Sequence, residues 1–264
     1  MKQKTRSEVL NYKEYSTVGT PLLILHGLFG SHSNWGIHSN FFSNFFRVIG
    51  VDLRNHGASP HHDEQDYEVM AADVYELLDF LDIDCCCMIG HSMGGKVAMQ
   101  LALDRPCMMD RLIVVDISPV TYPARAGGHL AMIDAMEALE LALFKSRDDV
   151  DTALLPHIPD QSTRQFMLTN LVRTDSGFKW RLNLRAIKEN YDNLRLAPDA
   201  KFKFTGKVLF LNGEFSRYIV DDHHAQIQSH FPNAEFETIS DAGHWLHAEQ
   251  PLKFQQAVKN FLKI

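Results

Sequence analysis

The sequence predicts an α/β fold with a mostly parallel central sheet flanked by helices and a helical lid insertion. Short, near-continuous apolar runs alternate with helical patterns, as strand-crossover-strand units do. The segment Gly90-His91-Ser92-Met93-Gly94-Gly95 joins one such run directly to an apolar helix. A length of 264 residues with 45% apolar content is enough to bury one sizeable core.

Taken in order, Pro21 to Gly27 (PLLILHG) and Arg47 to Leu53 (RVIGVDL) read as strands buried on both faces. Asp66 is the N-cap of a helix whose apolar positions Met70, Val74, Leu77, Leu78 and Leu81 recur at helical spacing. Cys85 to Ile89 (CCCMI) is a short buried strand, and Lys96 to Leu103 an apolar helix. Leu112 to Ile117, Val208 to Gly213 and Ala234 to Ile239 are further strands, and Pro251 to Leu262 is the closing helix. The alternation breaks between Pro119 and about Thr205, where helical patterns such as Leu130 to Phe144 dominate. In an open α/β sheet the ligand crevice lies at the carboxyl ends of the strands, so an insertion leaving there covers it. The expected organisation is a core of residues 1–118 and 206–264 with a helical cap, or lid, at 119–205. Within the cap, Phe166, Met167, Phe178 and Trp180 either line the pocket or thicken the core.

A formal net charge of −7 and the lack of a Lys/Arg cluster exclude a nucleic-acid footprint. Residues 1–15 lack the apolar stretch of a signal peptide and no apolar run is long enough to span a bilayer, so a cytoplasmic location is expected. Cys85, Cys86 and Cys87 read as small buried hydrophobes, without the Cys-x-x-Cys spacing of metal or redox sites. His61-His62-Asp63 and His223-His224 read as solvated loops rather than metal ligands. No cofactor and no metal are expected, and the chain is expected to be a monomer or a homodimer.

The chemistry is concentrated around Ser92. Gly-x-Ser-x-Gly between a strand and a helix is a nucleophile elbow, a sharp turn that exposes the hydroxyl and needs small neighbours, here Gly90, Gly94 and Gly95. A serine hydroxyl is a poor nucleophile until a base takes its proton, and His244, in the loop between the last strand and the last helix, is placed to do so. The imidazole in turn needs a carboxylate to hold its tautomer. The usual acid position follows the strand Val208 to Gly213, yet the chain there reads Glu214, Phe215, Ser216, Arg217. Either a nearby acid such as Glu214, Asp221 or Asp222 substitutes, or the carboxylate is Asp116, at the end of the preceding strand. Asp116 is favoured, with Ser216 as a secondary hydrogen-bond partner of His244, because Asp221 and Asp222 read as first-turn acids of the next helix. The amides of Met93 and Leu28 are the expected oxyanion donors, the second from the loop His26-Gly27-Leu28-Phe29-Gly30. His26, Gly27, Phe29, His91 and Trp245 are the expected substrate-binding residues.

Together these motifs resemble the α/β-hydrolase superfamily over essentially the whole chain. More narrowly, His26 to Ser31, Asp52-Leu53-Arg54-Asn55-His56-Gly57, Gly90 to Lys96, Asp116-Ile117-Ser118-Pro119-Val120 and Gly243 to Glu249 resemble the YbfF-type bacterial acyl esterases. The resemblance implies the α/β-hydrolase fold and a triad acid drawn from the Asp-Ile-x-Pro-Val segment, hence Asp116. It also implies hydrolysis of carboxylic esters, with acyl thioesters as candidates, and the Phe-, Leu- and Met-rich lid suits an apolar acyl chain. A C–C hydrolase, lyase or perhydrolase would keep these groups in an altered pocket, and a ligand-binding receptor would keep them with negligible turnover.

Overall fold

In the computed structural model, which describes residues 9–124, 128–175 and 177–264, the apolar runs become the strands of one sheet. In chain order the strands are β1 (Tyr12–Glu14), β2 (Pro21–Leu25), β3 (Arg47–Val51), β4 (Cys86–His91), β5 (Met109–Val115), β6 (Leu171–Thr174), β7 (Gly177–Trp180), β8 (Lys207–Gly213) and β9 (Ala234–Ile239). The helices are α1 (Gly36–Phe42), α2 (Tyr67–Phe80), α3 (Met93–Asp104), α4 (His129–Glu137), α5 (Arg147–Leu154), α6 (Gln161–Leu168), α7 (Leu184–Glu189), α8 (Tyr191–Arg195), α9 (Asp221–His230), α10 (Leu246–Glu249) and α11 (Pro251–Leu262).

Seven strands form the sheet in the order β1-β3-β2-β4-β5-β8-β9. The β1–β3 pair is antiparallel, and every other pair in the sheet is parallel. Because successive side chains of a strand point to opposite faces, a strand buried on both sides must be apolar throughout. On one face Leu23, Leu25, Met88, Leu112, Val114 and Phe210 pack with α2 and α3. On the other, Leu22, Ile24, Ile89, Ile113, Val115 and Leu211 pack with Trp35 and with Phe42 of α1 and Phe254 of α11. The chain therefore closes two half-cores on one sheet, and the carboxyl ends of β2, β4, β5 and β8 emerge side by side.

Asp66 caps α2 as expected, its Oδ1 accepting from the Val69 amide at 2.9 Å. Some expectations need correction. Cys85 is exposed, because β4 begins one residue later; Cys86 and Cys87 are buried. His223 and His224 belong to α9 rather than to a solvated loop: His223 Nδ1 lies 3.0 Å from Ser118 Oγ, and His224 stacks on Phe236 at 4.2 Å. Between β5 and β8 the chain carries α4 to α8, but α4 stops at Glu137 rather than running to Phe144, and the antiparallel pair β6–β7 adds a second small sheet. Phe166 and Met167 line a cavity. Phe178 and Trp180 pack against the core, with Trp180 Nε1 donating to the Met136 carbonyl at 3.0 Å. Among the described residues no helix is long and apolar enough to cross a membrane.

Candidate active site

The site is built where β4 and β5 end. Directly after β4, Ser92 turns to φ 52°, ψ −116°, a conformation that a non-glycine residue holds only at a cost of about 1–3 kcal/mol. The turn demands close approach of strand and helix. A Cβ on Gly90 would stand 2.4 Å from the Gly94 carbonyl oxygen, and one on Gly94 would stand 2.5 Å from that of His26. The ladder continues through the turn, with the Ser92 amide donating to the Val115 carbonyl at 3.0 Å. Asp116, the next residue after Val115, also adopts positive φ, 53°, while its amide donates to the Leu211 carbonyl at 2.7 Å. Two strained residues on neighbouring strands thus face one crevice.

His244 joins them. Its Nε2 lies 3.1 Å from Ser92 Oγ and its Nδ1 lies 2.6 Å from Asp116 Oδ2. An ionised carboxylate only accepts, so Nδ1 carries the proton and donates to Asp116, which leaves Nε2 to accept from the serine hydroxyl. Asp116 is wholly buried and takes two more hydrogen bonds, from the Gly213 amide at 3.2 Å and from Ser216 Oγ at 2.5 Å. Ser216 therefore serves Asp116 rather than His244, which corrects the expectation from sequence. The alternative acids lie elsewhere: Glu214 accepts from the Asp241 amide at 2.9 Å, and Asp221 and Asp222 open α9.

A shell of uncharged imidazoles surrounds this path. His91 Nε2 donates to the His244 carbonyl at 2.9 Å, and burial followed by the nearby His244 ring holds His91 well below its ordinary pKa. Burial and then His91 do the same to His247, which stacks on Trp35 with ring centroids 4.2 Å apart. Burial also lowers His26, whose Nδ1 donates to the Gly27 carbonyl at 2.8 Å while Nε2 accepts from the Leu53 amide at 3.0 Å. Tyr218 lies against the His244 ring at 4.1 Å between centroids.

The loop ahead of the site rests on Asp52. Burial alone would raise its pKa, but hydrogen bonds from the amides of Ala58 and His32, at 2.9 and 2.7 Å, favour the carboxylate and its pKa is lowered.

Two cavities meet at Ser92. The first, about 240 Å³, lies between α3 and the insert, and Leu28 and Met93 contribute to its wall. The second, about 210 Å³, holds all five residues expected to bind substrate, His26, Gly27, Phe29, His91 and Trp245. Both ring nitrogens of His26 and Nε2 of His91 are engaged within the protein, so these two shape the wall more than they offer polar contacts. Sequence reasoning missed Lys96, Tyr122, His129 and Tyr218, which also line the cavities. Lys96 carried a signal: a lone lysine in an otherwise apolar helix. It is buried, and its Nζ donates to the carbonyls of Val120 at 2.9 Å, Arg195 at 3.1 Å and Leu196. Burial lowers its pKa to about 7. Among the described residues no cluster of His, Cys, Asp or Glu could hold a metal ion.

Residues 22–257 match the model of the alpha/beta hydrolase family. The mouse (Mus musculus) protein named sn-1-specific diacylglycerol lipase ABHD11 is 42% identical over 249 residues, 91% of this chain and 80% of the relative. Esterase YbfF of Escherichia coli is 32% identical over 243 residues, 92% of this chain and 93% of the relative. A solved marine microorganism esterase superposes with a TM-score of 0.93 at 37% identity, covering 97% of this chain and all of its own. The chain belongs to the α/β-hydrolase family and, within it, is of the YbfF esterase type.

Proposed function

We propose that this chain is a serine carboxylesterase that hydrolyses acyl esters through an acyl-enzyme on Ser92, with acyl thioesters such as acyl-CoA open to the same chemistry. The observation that carries this reading is the unbroken hydrogen-bonded path from Ser92 through His244 to the buried Asp116, opening on two cavities. The esterase and lipase names of the relatives support the choice of an ester bond.

In the proposed reaction Ser92 Oγ attacks the carbonyl carbon as His244 Nε2 takes its proton, and Asp116 stabilises the imidazolium that forms. The carbonyl oxygen becomes an oxyanion between the amides of Leu28 and Met93. Met93 is the first residue of α3, where an amide has no partner inside its own helix. His244 returns the proton to the departing oxygen or sulfur. Water then repeats the sequence in reverse and releases the acid. Residues 119–205 act as the lid over a core of residues 1–118 and 206–264; the insert supplies His129, Met132 and Phe166 to the cavity walls.

The test is Ser92→Ala. Turnover of a chromogenic acyl ester is expected to fall by about 10⁴-fold or more, and labelling by a fluorophosphonate to vanish, with the circular dichroism spectrum unchanged. Undiminished turnover would refute the assignment.

A further inference from the structure

Only one of the two cavities at Ser92 contains the imidazole: His244 lines the second and is not among the residues lining the first. This asymmetry orients the substrate, on the reading of His244 given under Proposed function. The group that receives a proton from His244 as the bond breaks must lie on the imidazole side. The alcohol or thiol arm thus belongs to the second cavity, and the acyl arm to the first.

By composition the first cavity looks polar, since Tyr67, Lys96, Tyr122, Tyr191 and Arg195 line it. The hydrogen bonds contradict that impression. Tyr67 Oη donates to the Leu194 carbonyl at 2.6 Å. Tyr122 Oη donates to the Tyr218 carbonyl at 2.5 Å and accepts from the Ser118 amide at 2.9 Å. Tyr191 Oη pairs with His129 Nδ1 at 2.9 Å. Arg195 reaches Asp192 at 2.7 Å and the Tyr122 carbonyl at 2.9 Å, and Lys96 Nζ is directed at the carbonyls of Val120, Arg195 and Leu196. Among the described residues, an occupant meets chiefly aromatic faces, lysine methylenes and the side chains of Ile117, Met132 and Leu194, where burying a charged group would be costly.

Size gives the second constraint. An apolar cavity of about 150 Å³ takes benzene, so at similar packing one of about 240 Å³ takes about ten carbons. We infer that the first cavity is the acyl seat, and that the substrates are esters or thioesters of neutral, medium-length acyl groups of about six to ten carbons, their leaving groups directed into the second cavity. Leu194, which lines the first cavity alone, and Phe166, which lines the second alone, are then specificity-determining residues for the two arms.

The test is the acyl-length profile of kcat/KM with p-nitrophenyl esters from acetate to palmitate, for the unmodified protein, Leu194→Trp and Phe166→Ala. The unmodified protein is expected to peak near octanoate and to fall at least about tenfold by palmitate. Leu194→Trp should lower the octanoate-to-acetate ratio at least about tenfold, whereas Phe166→Ala should move the preference between p-nitrophenyl and naphthyl esters more than it moves that ratio. A profile peaking at palmitate, or the two substitutions exchanging effects, would overturn the inference. If Leu194→Trp fails to fold, the unmodified profile and Phe166→Ala still decide. Fluorophosphonate labelling of Ser92 separates the two levels: a labelled protein with the wrong profile sinks this inference alone, and an unlabelled one sinks the esterase reading beneath it.

Discussion

Ser216 and His244 converge on the same oxygen, Asp116 Oδ2, at 2.5 and 2.6 Å. The carboxylate thus comes from β5, and the hydroxyl after β8 stands beside it as a donor. A hydrogen bond to an ionised group contributes about 1.5–3 kcal/mol, more than a neutral one.

Ser216→Ala is expected to lower kcat about tenfold through the loss of that charge-assisted bond, with KM little changed. Steady-state kinetics on one chromogenic ester checks it. A kcat equal to that of the unmodified protein would mean that the hydroxyl does not help to hold Asp116.

Asp116→Asn keeps the shape of the side chain but removes the charge that fixes the His244 proton on Nδ1. The expected outcome is a fall in kcat of about 10⁴-fold, with the fold retained by circular dichroism. Activity within a factor of ten of the unmodified protein would instead direct attention to an acid elsewhere.

Stability should fall with acid. Burial lowers the pKa of His26, His38, His91 and His247, and that of His56 to about 3, so all five stay neutral in the folded protein where the unfolded chain takes up protons. Below about pH 6.5 the unfolded state binds more protons, and folding free energy is lost as pH falls, by up to about 1.4 kcal/mol per pH unit for each group. His247→Phe, which keeps a flat ring beside Trp35, should shrink the loss between about pH 7 and pH 5. Urea denaturation at both values measures it, and parallel curves for the two proteins would contradict the prediction.

The parallel strands were legible because burial on both faces leaves an uninterrupted apolar run. Strand β1 was not: Tyr12-Lys13-Glu14 is a three-residue edge strand that carries no apolar run. The pair β6–β7 was hidden for a similar reason, four residues a side being too few for alternation to register. The meeting of Ser92, His244 and Asp116 could be expected because each follows or precedes a strong element, so chain position nearly determines place. The partner of Ser216 could not, since which of two adjacent groups a hydroxyl meets depends on side-chain direction. Lys96 runs against the tendency of lysine to stay in water, and its three carbonyl acceptors, with the Tyr122 and Tyr67 rings 4.9 and 5.3 Å from Nζ, explain its burial.

Those acceptors have a wider meaning. Val120 sits just after β5, and Arg195 and Leu196 end α8, so one lysine on α3 ties the start of the insert to its last helix. Once two ends of a segment are fastened at a point, lengthening what lies between them adds little closure entropy, about 0.6 kcal/mol per doubling. The scaffold can accordingly accept inserts of different length and shape between β5 and β8 on a single anchor.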